Sequence, residues 1–292
     1  MTISALVPYF GGKRELAPAI VREACARGAP AFFAEPFCGS MAVSLAMPDV
    51  PTHVVNDLNG PLVALAETLA EIEEGPELIA RLERSLCAEA VYRRAVGYLS
   101  EWGAGLARSR PVLAWAYAVA CWLGPNGSAQ DDAGRFCVRW GPGGGDPATR
   151  LRSATEALDG FRSKLRRFTI TSRDGFDVLA SIQDVPGVVV YADPPYLRAT
   201  RGAGSYVNDF TDHGGGIFAS DADDHDRLAE AVGRFQAARV LVSYYDDPRL
   251  DDLYPPDRWR KVALGSASGV MNATGSTGRE RVEVLLVNDG GR

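Results

Sequence analysis

Several things are scarce or missing in this sequence, and each shortage closes a class of function. No uninterrupted apolar run approaches the ~18–20 residues that a bilayer-spanning helix requires. The opening Met1-Thr2-Ile3-Ser4 lacks the basic start and apolar stretch of a secretory leader, so the cytoplasm is the expected address. There are five cysteines (Cys25, Cys38, Cys87, Cys121 and Cys137). The number is odd and no Cys-x-x-Cys pair occurs, which argues against a disulfide framework and a structural zinc site. Three histidines occur (His53, His213 and His225), and no two are spaced as a metal pair. Asp223, Asp224 and Asp226 crowd around His225, but their pattern is expected to be the solvated start of a helix. No metal is expected. A full Gly-x-Gly-x-x-Gly is also missing: residues 37–42 do not supply it, which speaks against a dinucleotide-dependent oxidoreductase.

What is present is enough for one large domain, or for a core domain with a smaller companion: 292 residues, 46% of them apolar. The net charge of −6 by itself disfavours a nucleic-acid partner, because phosphate contacts dominate such binding. The distribution of charge reverses that inference. Between Arg81 and Phe168, fourteen basic side chains face eight acidic ones, so this stretch is cationic within an otherwise acidic chain. Such segregation fits a basic module attached to an acidic core.

Short β-branched runs alternate with helical patterns along much of the chain. Residues 31–34, 52–55, 168–171, 187–192 and 239–242 read as strands, and each runs into polar residues. Leu16, Ile20 and Val21 are spaced for a helix, as are Leu62, Leu65, Leu69 and Ile72. Residues 40–46 and 225–235 also read as helices. Residues 261–264 and 282–287 flank a Gly/Ser/Thr-rich stretch and read as a closing β-hairpin. This pattern predicts an α/β fold: a mostly parallel sheet with a closing antiparallel hairpin and helices on both faces. In such sheets ligands sit at the carboxyl ends of the strands, where the polar residues fall.

Residues 61–167 break the alternation. Ile79, Leu82 and Leu86 predict one helix, and residues 112–123 another, apolar on most sides and therefore buried. Gly/Pro-rich loops follow at 124–128 and 141–145. The segment reads as a mainly helical domain inserted between 1–60 and 168–292; a helical extension of the core is the other reading.

Four motifs carry chemistry. Asp193-Pro194-Pro195-Tyr196 follows the apolar run 188–192. Its prolines stiffen the turn and hold Asp193 extended. A rigid strand end can aim a carboxylate and a backbone carbonyl at the two protons of one amino group, and Tyr196 offers a face for stacking a base. Glu35-Pro36-Phe37-Cys38-Gly39-Ser40 lies at a strand-to-helix turn, where Gly39 permits close backbone approach. Asp57, in Asn56-Asp57-Leu58-Asn59, stands at the end of the next strand, about where an acid grips ribose hydroxyls in Rossmann-like sites. Tyr9-Phe10-Gly11-Gly12-Lys13 precedes a helix, and Lys13 is one of only three lysines, a point charge suited to a carboxylate.

In this order the four motifs resemble the Dam family of DNA adenine methyltransferases, the α-group arrangement, over nearly the whole chain. The resemblance implies a Rossmann-like methyltransferase sheet with an inserted target-recognition domain. It also implies direct transfer of a methyl group from S-adenosylmethionine to the N6 of a flipped adenine in double-stranded DNA, by a monomer that can pair transiently and with no metal. Tyr9 and Lys13 would contact the methionine end of the cofactor, Glu35, Phe37 and Gly39 would form its loop, and Asp57 would hold the ribose. Asp174 and Phe176 would approach the cofactor adenine. Asp193 would border the cofactor and, with Pro194, Pro195 and Tyr196, form the catalytic loop. Arg135, Arg139, Arg150 and Arg152 would meet DNA phosphates. Two departures stand out. Tyr9 replaces the usual Trp, and Met41 stands where a second glycine is common, which predicts a more crowded loop. Cytosine-N4 relatives more often carry Ser at position 193, and glutamine-amide methyltransferases Asn. An RNA target, or a non-catalytic relative, would share the fold.

Overall fold

The computed structural model describes residues 3–9, 12–124, 136, 146–194, 223–266 and 282–290. Five parallel strands form the sheet: β1 (Phe32–Glu35), β2 (Thr52–Asn56), β3 (Phe168–Thr171), β4 (Val188–Ala192) and β5 (Arg239–Tyr245). The strands β6 (Arg260–Ser266) and β7 (Val282–Asn288) close it antiparallel, giving the order β3-β2-β1-β4-β5-β7-β6. This is the mixed α/β sheet anticipated from the alternation. Every residue of β4 is buried, as a central parallel strand covered on both faces requires.

The strand period of two sorts side chains onto opposite faces. Phe33, Val189, Tyr191, Leu241 and Leu285 pack with α1 (Ala17–Ala24) and with Val43 of α2 (Ala42–Ala46). Ala34, Val190, Ala192, Val240 and Val242 pack on the other face. There they meet α8 (Gly175–Ser181), α9 (Asp223–Gly233) and α10 (Arg249–Leu253). Burying a Val or Leu side chain completely contributes roughly 1.5–3 kcal/mol. A one-residue slip of β4 would swap its two faces, so register is held strongly.

Among the described residues between β2 and β3 stand five helices: α3 (Gly60–Ala70), α4 (Glu74–Glu83), α5 (Glu89–Gly103), α6 (Arg110–Leu123) and α7 (Pro147–Leu165). Every residue of α6 from Leu113 to Leu123 is buried, as its all-round apolar pattern predicted. Around it pack Leu65, Leu82, Tyr92, Leu99 and Leu158, in one cluster that also takes in Leu6, Met41 and Val55. Two sequence-level assignments need correction. Ile72 and Leu86 extend their helices' apolar spacing, but α3 ends at Ala70 and α4 at Glu83, and both side chains are exposed, at 64% and 72%. Spacing alone does not register a helix stop. The helices α5 and α7 were not read from the sequence, because charged residues interrupt their narrow apolar stripes.

Among the described residues, no helix is long and apolar enough to cross a membrane. Nor is any group of three or more His, Cys, Asp and Glu placed to hold a metal ion. The helix start expected around His225 is present as α9, but His225 itself is not solvated. It is 1% exposed, and its Nδ1 lies 2.8 Å from the Tyr244 hydroxyl.

Candidate active site

The strand order reverses between β1 and β4, and crevices of this kind at the carboxyl ends of strands are where open α/β sheets bind ligands. Glu35 ends β1, residues 36–41 turn from it into α2, and Asp193 leaves β4 immediately alongside. The neighbouring β2 ends in Asn56, followed by Asp57.

Asn56 and Asp57 lock these strand ends together. Asn56 is buried, and its Nδ2 donates to the carbonyls of Pro36 and Arg173, both at 2.9 Å. Its Oδ1 accepts from Arg173 N at 2.9 Å and from Thr171 Oγ1 at 2.8 Å. One side-chain amide thus ties the ends of β1, β2 and β3 with every polar atom used. Asp57 accepts from Gly39 N at 2.7 Å with one oxygen and from Asn59 N at 2.9 Å with the other. Burial pushes its carboxyl above the ordinary range, partly offset by these backbone donors. Asn59 in turn caps α3 through Leu62 N, 3.2 Å, and donates to the Tyr117 hydroxyl, 3.1 Å.

The turn after β1 is shaped by glycine and by one exception to it. Gly39 has φ +46°, and the ring of Tyr9 lies 3.3 Å from where its Cβ would stand, so a side chain there would meet an aromatic wall. Met41 is the only described non-glycine residue with positive φ, at 58°. A left-handed L-residue costs roughly 1–2 kcal/mol, a cost that a glycine at this position would avoid. The crowding anticipated from the sequence does not fall on the loop, however. The Met41 side chain is fully buried and packs in the core cluster that contains Leu6, Val7 and Cys38. The N-terminal segment is fastened to the same turn by Leu6 N donating to Ser40 O, 3.0 Å.

Lys13 is 4% exposed and holds two carboxylates: Asp193 Oδ2 at 2.8 Å and Glu283 Oε1 at 3.1 Å. Burial alone would lower its pKa, but the two carboxylates together outweigh burial and raise it above the ordinary lysine value. The resemblance directed the Lys13 charge at the methionine end of a cofactor; in the fold its ammonium holds the chain's own Asp193 and Glu283. In the sequence, Glu283 falls in the closing strand and in a weak echo of the family pattern at 283–288, with no role assigned to its carboxylate. It reaches the site because β7 inserts beside β5, with Glu283 opposite Tyr245, and no local pattern signals that pairing.

Glu35, beside Asp193, makes no salt bridge among the described residues. It accepts from Ser44 N at 3.1 Å and from the Ser44 hydroxyl. Desolvation is the main cause that pushes its carboxyl up to about 8, with the charges of Asp193 and Asp57 adding to it against the Ser44 hydrogen bonds. The two acids therefore differ: Asp193 has an ammonium at contact, and Glu35 keeps its proton at neutral pH. Because folded Glu35 binds its proton more tightly than the unfolded chain, its contribution to stability falls as pH rises from about 4.5 through about 8. Glu35→Gln removes that titration. Its melting temperature relative to the unsubstituted protein is expected to rise steadily across this window, and a difference independent of pH would contradict the assignment.

Phe37 and Phe176 meet edge to face, with centroids 6.2 Å apart, and the Phe37 ring stands where a Gly175 Cβ would be. Any side chain at 175 would displace Phe37, a constraint the sequence did not reveal. Asp174 caps α8 by accepting from Phe176 N at 2.7 Å, while Arg227 lies over the Phe176 ring at 3.8 Å. Tyr191, under the site, shares a 2.9 Å hydrogen bond with Ser243. The structure thus groups Tyr9, Gly39 and Asp57, then Lys13 and Asp193, then Phe37 and Phe176. Pro194 is described and buried, whereas Pro195 and Tyr196 lie outside the described residues. So do Arg135 and Arg139; Arg150 gives one N–H to Trp122 O, 3.1 Å, and Arg152 is exposed.

The comparisons with known proteins bear on this arrangement. Residues 9–100 match the sequence model of the D12 class N6 adenine-specific DNA methyltransferase family. That span contains Tyr9, Lys13, the turn after β1, and Asp57, but not Asp193. Comparison with curated proteins finds no match. A crystal structure of SMU.472, a protein described as a methyltransferase complexed with SAH, is similar at 12% identity and a TM-score of 0.34. The similarity covers 96% of this chain and 55% of that one, so this chain spans about half its length, and the likeness is too distant to bear on the fold.

Proposed function

We propose that this protein is a site-specific DNA methyltransferase that transfers a methyl group directly from S-adenosylmethionine to the N6 of an adenine flipped out of duplex DNA. The observation that carries the proposal is the placement of Asp193. It leaves the central strand β4 at the point where strand order reverses, faces Lys13 at 2.8 Å and adjoins the turn after β1. The family match over residues 9–100 supports the cofactor half of this reading.

The residues present fit the cofactor. Gly39 brings bare backbone to the crevice, Tyr9 walls it, and Phe37 with Phe176 supplies an aromatic edge. Asp57 spends one lone pair of each oxygen on backbone donors, and a carboxylate has capacity left for ribose hydroxyls. When bound, S-adenosylmethionine supplies the electrophilic methyl group. The chain's own task is to bind and orient the amine. Asp193 and the Pro194 carbonyl would accept its two N–H groups, drawing the nitrogen toward tetrahedral geometry so that its lone pair is available for attack. Tyr196 would stack on the base. Extruding that base costs a few kcal/mol, which stacking and amine binding must offset. Residues 61–167 would be the target-recognition region, with Arg135, Arg139, Arg150 and Arg152 toward the phosphates.

Asp57→Ala is expected to weaken S-adenosylmethionine binding at least about tenfold, since a hydrogen bond to a charged group contributes ~1.5–3 kcal/mol. Calorimetric titration of the purified variant reads this directly, and an unchanged affinity would remove Asp57 from the cofactor site. The reading as a whole is tested by incubating the protein with S-adenosylmethionine and a mixed-sequence plasmid, then mapping modified bases. The expected product is N6-methyladenine at one recurring sequence. N4-methylcytosine would shift the target base, and modification of RNA alone, or of nothing, would overturn the proposal.

A further inference from the structure

Resting on the reading of this protein as a DNA-binding enzyme, we infer that Arg81, Arg84 and Arg94 form a phosphate-binding cradle that grips the backbone of the DNA duplex. The three side chains come from two helices and converge on a third. Arg81 and Arg84 lie at the end of α4, Arg94 lies in the first half of α5, and between them stands Trp115 of α6. Together they line a surface pocket of about 350 Å³ whose wall includes no acidic side chain.

Among the described residues none of the three arginines makes a salt bridge, whereas Arg93, Arg110, Arg162 and Arg167 each hold a carboxylate. Unpaired like charges at close spacing repel, Arg81 and Arg84 being three apart along one chain. The negative end of the α4 dipole accounts for those two, but gives no reason for Arg94 near the start of α5. An anion in the pocket accounts for all three.

Geometry favours the same ligand. The Arg81 and Arg94 guanidinium carbons lie 4.6 Å and 5.4 Å from the Trp115 ring centre. Trp115 is itself fixed by a 2.8 Å hydrogen bond to Ser85 Oγ. A guanidinium drawn over a ring by cation–π attraction still has N–H groups to give to phosphate oxygens. The exposed Arg84 completes the rim. Among the described residues Arg81, Arg84 and Arg94 give no side-chain hydrogen bond to a backbone carbonyl of the kind Arg150 gives at the end of α6.

The test compares the full-length protein with an R81Q/R84Q/R94Q variant and an R81K/R84K/R94K variant, measuring affinity for a duplex as salt is varied. Each phosphate neutralised contributes ~0.9 to the slope of log affinity against log salt. The glutamine variant is expected to lose about 2–3 from that slope, and the lysine variant to retain the slope while binding more weakly. Thermal unfolding and S-adenosylmethionine binding, measured in parallel, check that the fold persists. Should the triple glutamine variant fail to fold, R84Q alone is expected to lower the slope by about 0.9. An unchanged slope in a folded variant overturns the cradle and leaves the DNA reading standing. If the unsubstituted protein binds no duplex in a salt-dependent way, the DNA reading falls, and the cradle with it.

Discussion

Replacing Asp193 with alanine is expected to lower the rate of methyl transfer by about 10²–10⁴-fold, the range for removing a group that binds or deprotonates a reacting centre. The substitution takes away an acceptor for the target amine and also a carboxylate that holds Lys13 at 2.8 Å, beside that of Glu283 at 3.1 Å. Glu283 remains, so the ammonium is not left alone and the fold should survive. S-adenosylmethionine affinity should change much less than turnover, because Gly39 and Asp57 are joined by a hydrogen bond that does not involve Asp193. Asp193→Asn refines the test. It keeps the shape and one acceptor but removes the charge, so turnover between those of Asp193→Ala and the unsubstituted protein is expected. Full activity of Asp193→Ala on duplex DNA would refute the proposed role.

Lys13→Met should be the most destabilising single substitution in the site. It takes the shared ammonium away from Asp193 and Glu283, and Glu283 is 3% exposed. Breaking a buried ion pair from one side costs about 3–5 kcal/mol, because the remaining charge is both desolvated and unpaired. The second carboxylate adds repulsion. The double variant Lys13→Met/Glu283→Gln removes one of those charges and is expected to recover much of the stability, though not activity. Chemical denaturation of the two variants reads the difference. If the double variant is no more stable than the single one, the two carboxylates do not share Lys13 in the manner described. The same geometry has a consequence for binding. Lys13 takes one lone pair of Asp193 Oδ2, so an incoming amine would share that carboxylate with the ammonium, and Glu283 offers the ammonium a second carboxylate.

Much of the fold was legible in the chain because its strands are short, β-branched and punctuated by polar residues. Residues 187–192 could be read as a buried strand, and they form the fully buried β4. The helix stops were less legible: Ile72 and Leu86 continue an apolar spacing that the backbone abandons. The helices α5 and α7 escaped notice because a narrow apolar stripe is diluted by charge. Met41 shows a subtler limit. A missing glycine can be noticed in the sequence, but whether the replacement crowds a loop or enters the core depends on the direction of its side chain.

The sequence alone determined the kinds of residue available and their order: a carboxylate after a buried strand, a glycine turn after another, an acid after a third, and a lysine ahead of the first helix. Those are local facts, encoded by period and spacing. Only the tertiary structure decided which of them meet. Lys13 and Asp193 are 180 positions apart and Glu283 is 90 further on, and they converge because the sheet reverses between β1 and β4 and β7 inserts antiparallel beside β5. Asn56 could be read as part of a motif, yet its work of fastening three strand ends follows from β2 lying between β1 and β3. Charge obeys the same division. The basic stretch was countable from the chain, but which of its described arginines lack a carboxylate, and which two lie over the Trp115 ring, was decided by the packing of α4, α5 and α6. Local propensity is written along the chain, whereas pairing across the sheet and between helices is set by burial, which only the folded arrangement distributes.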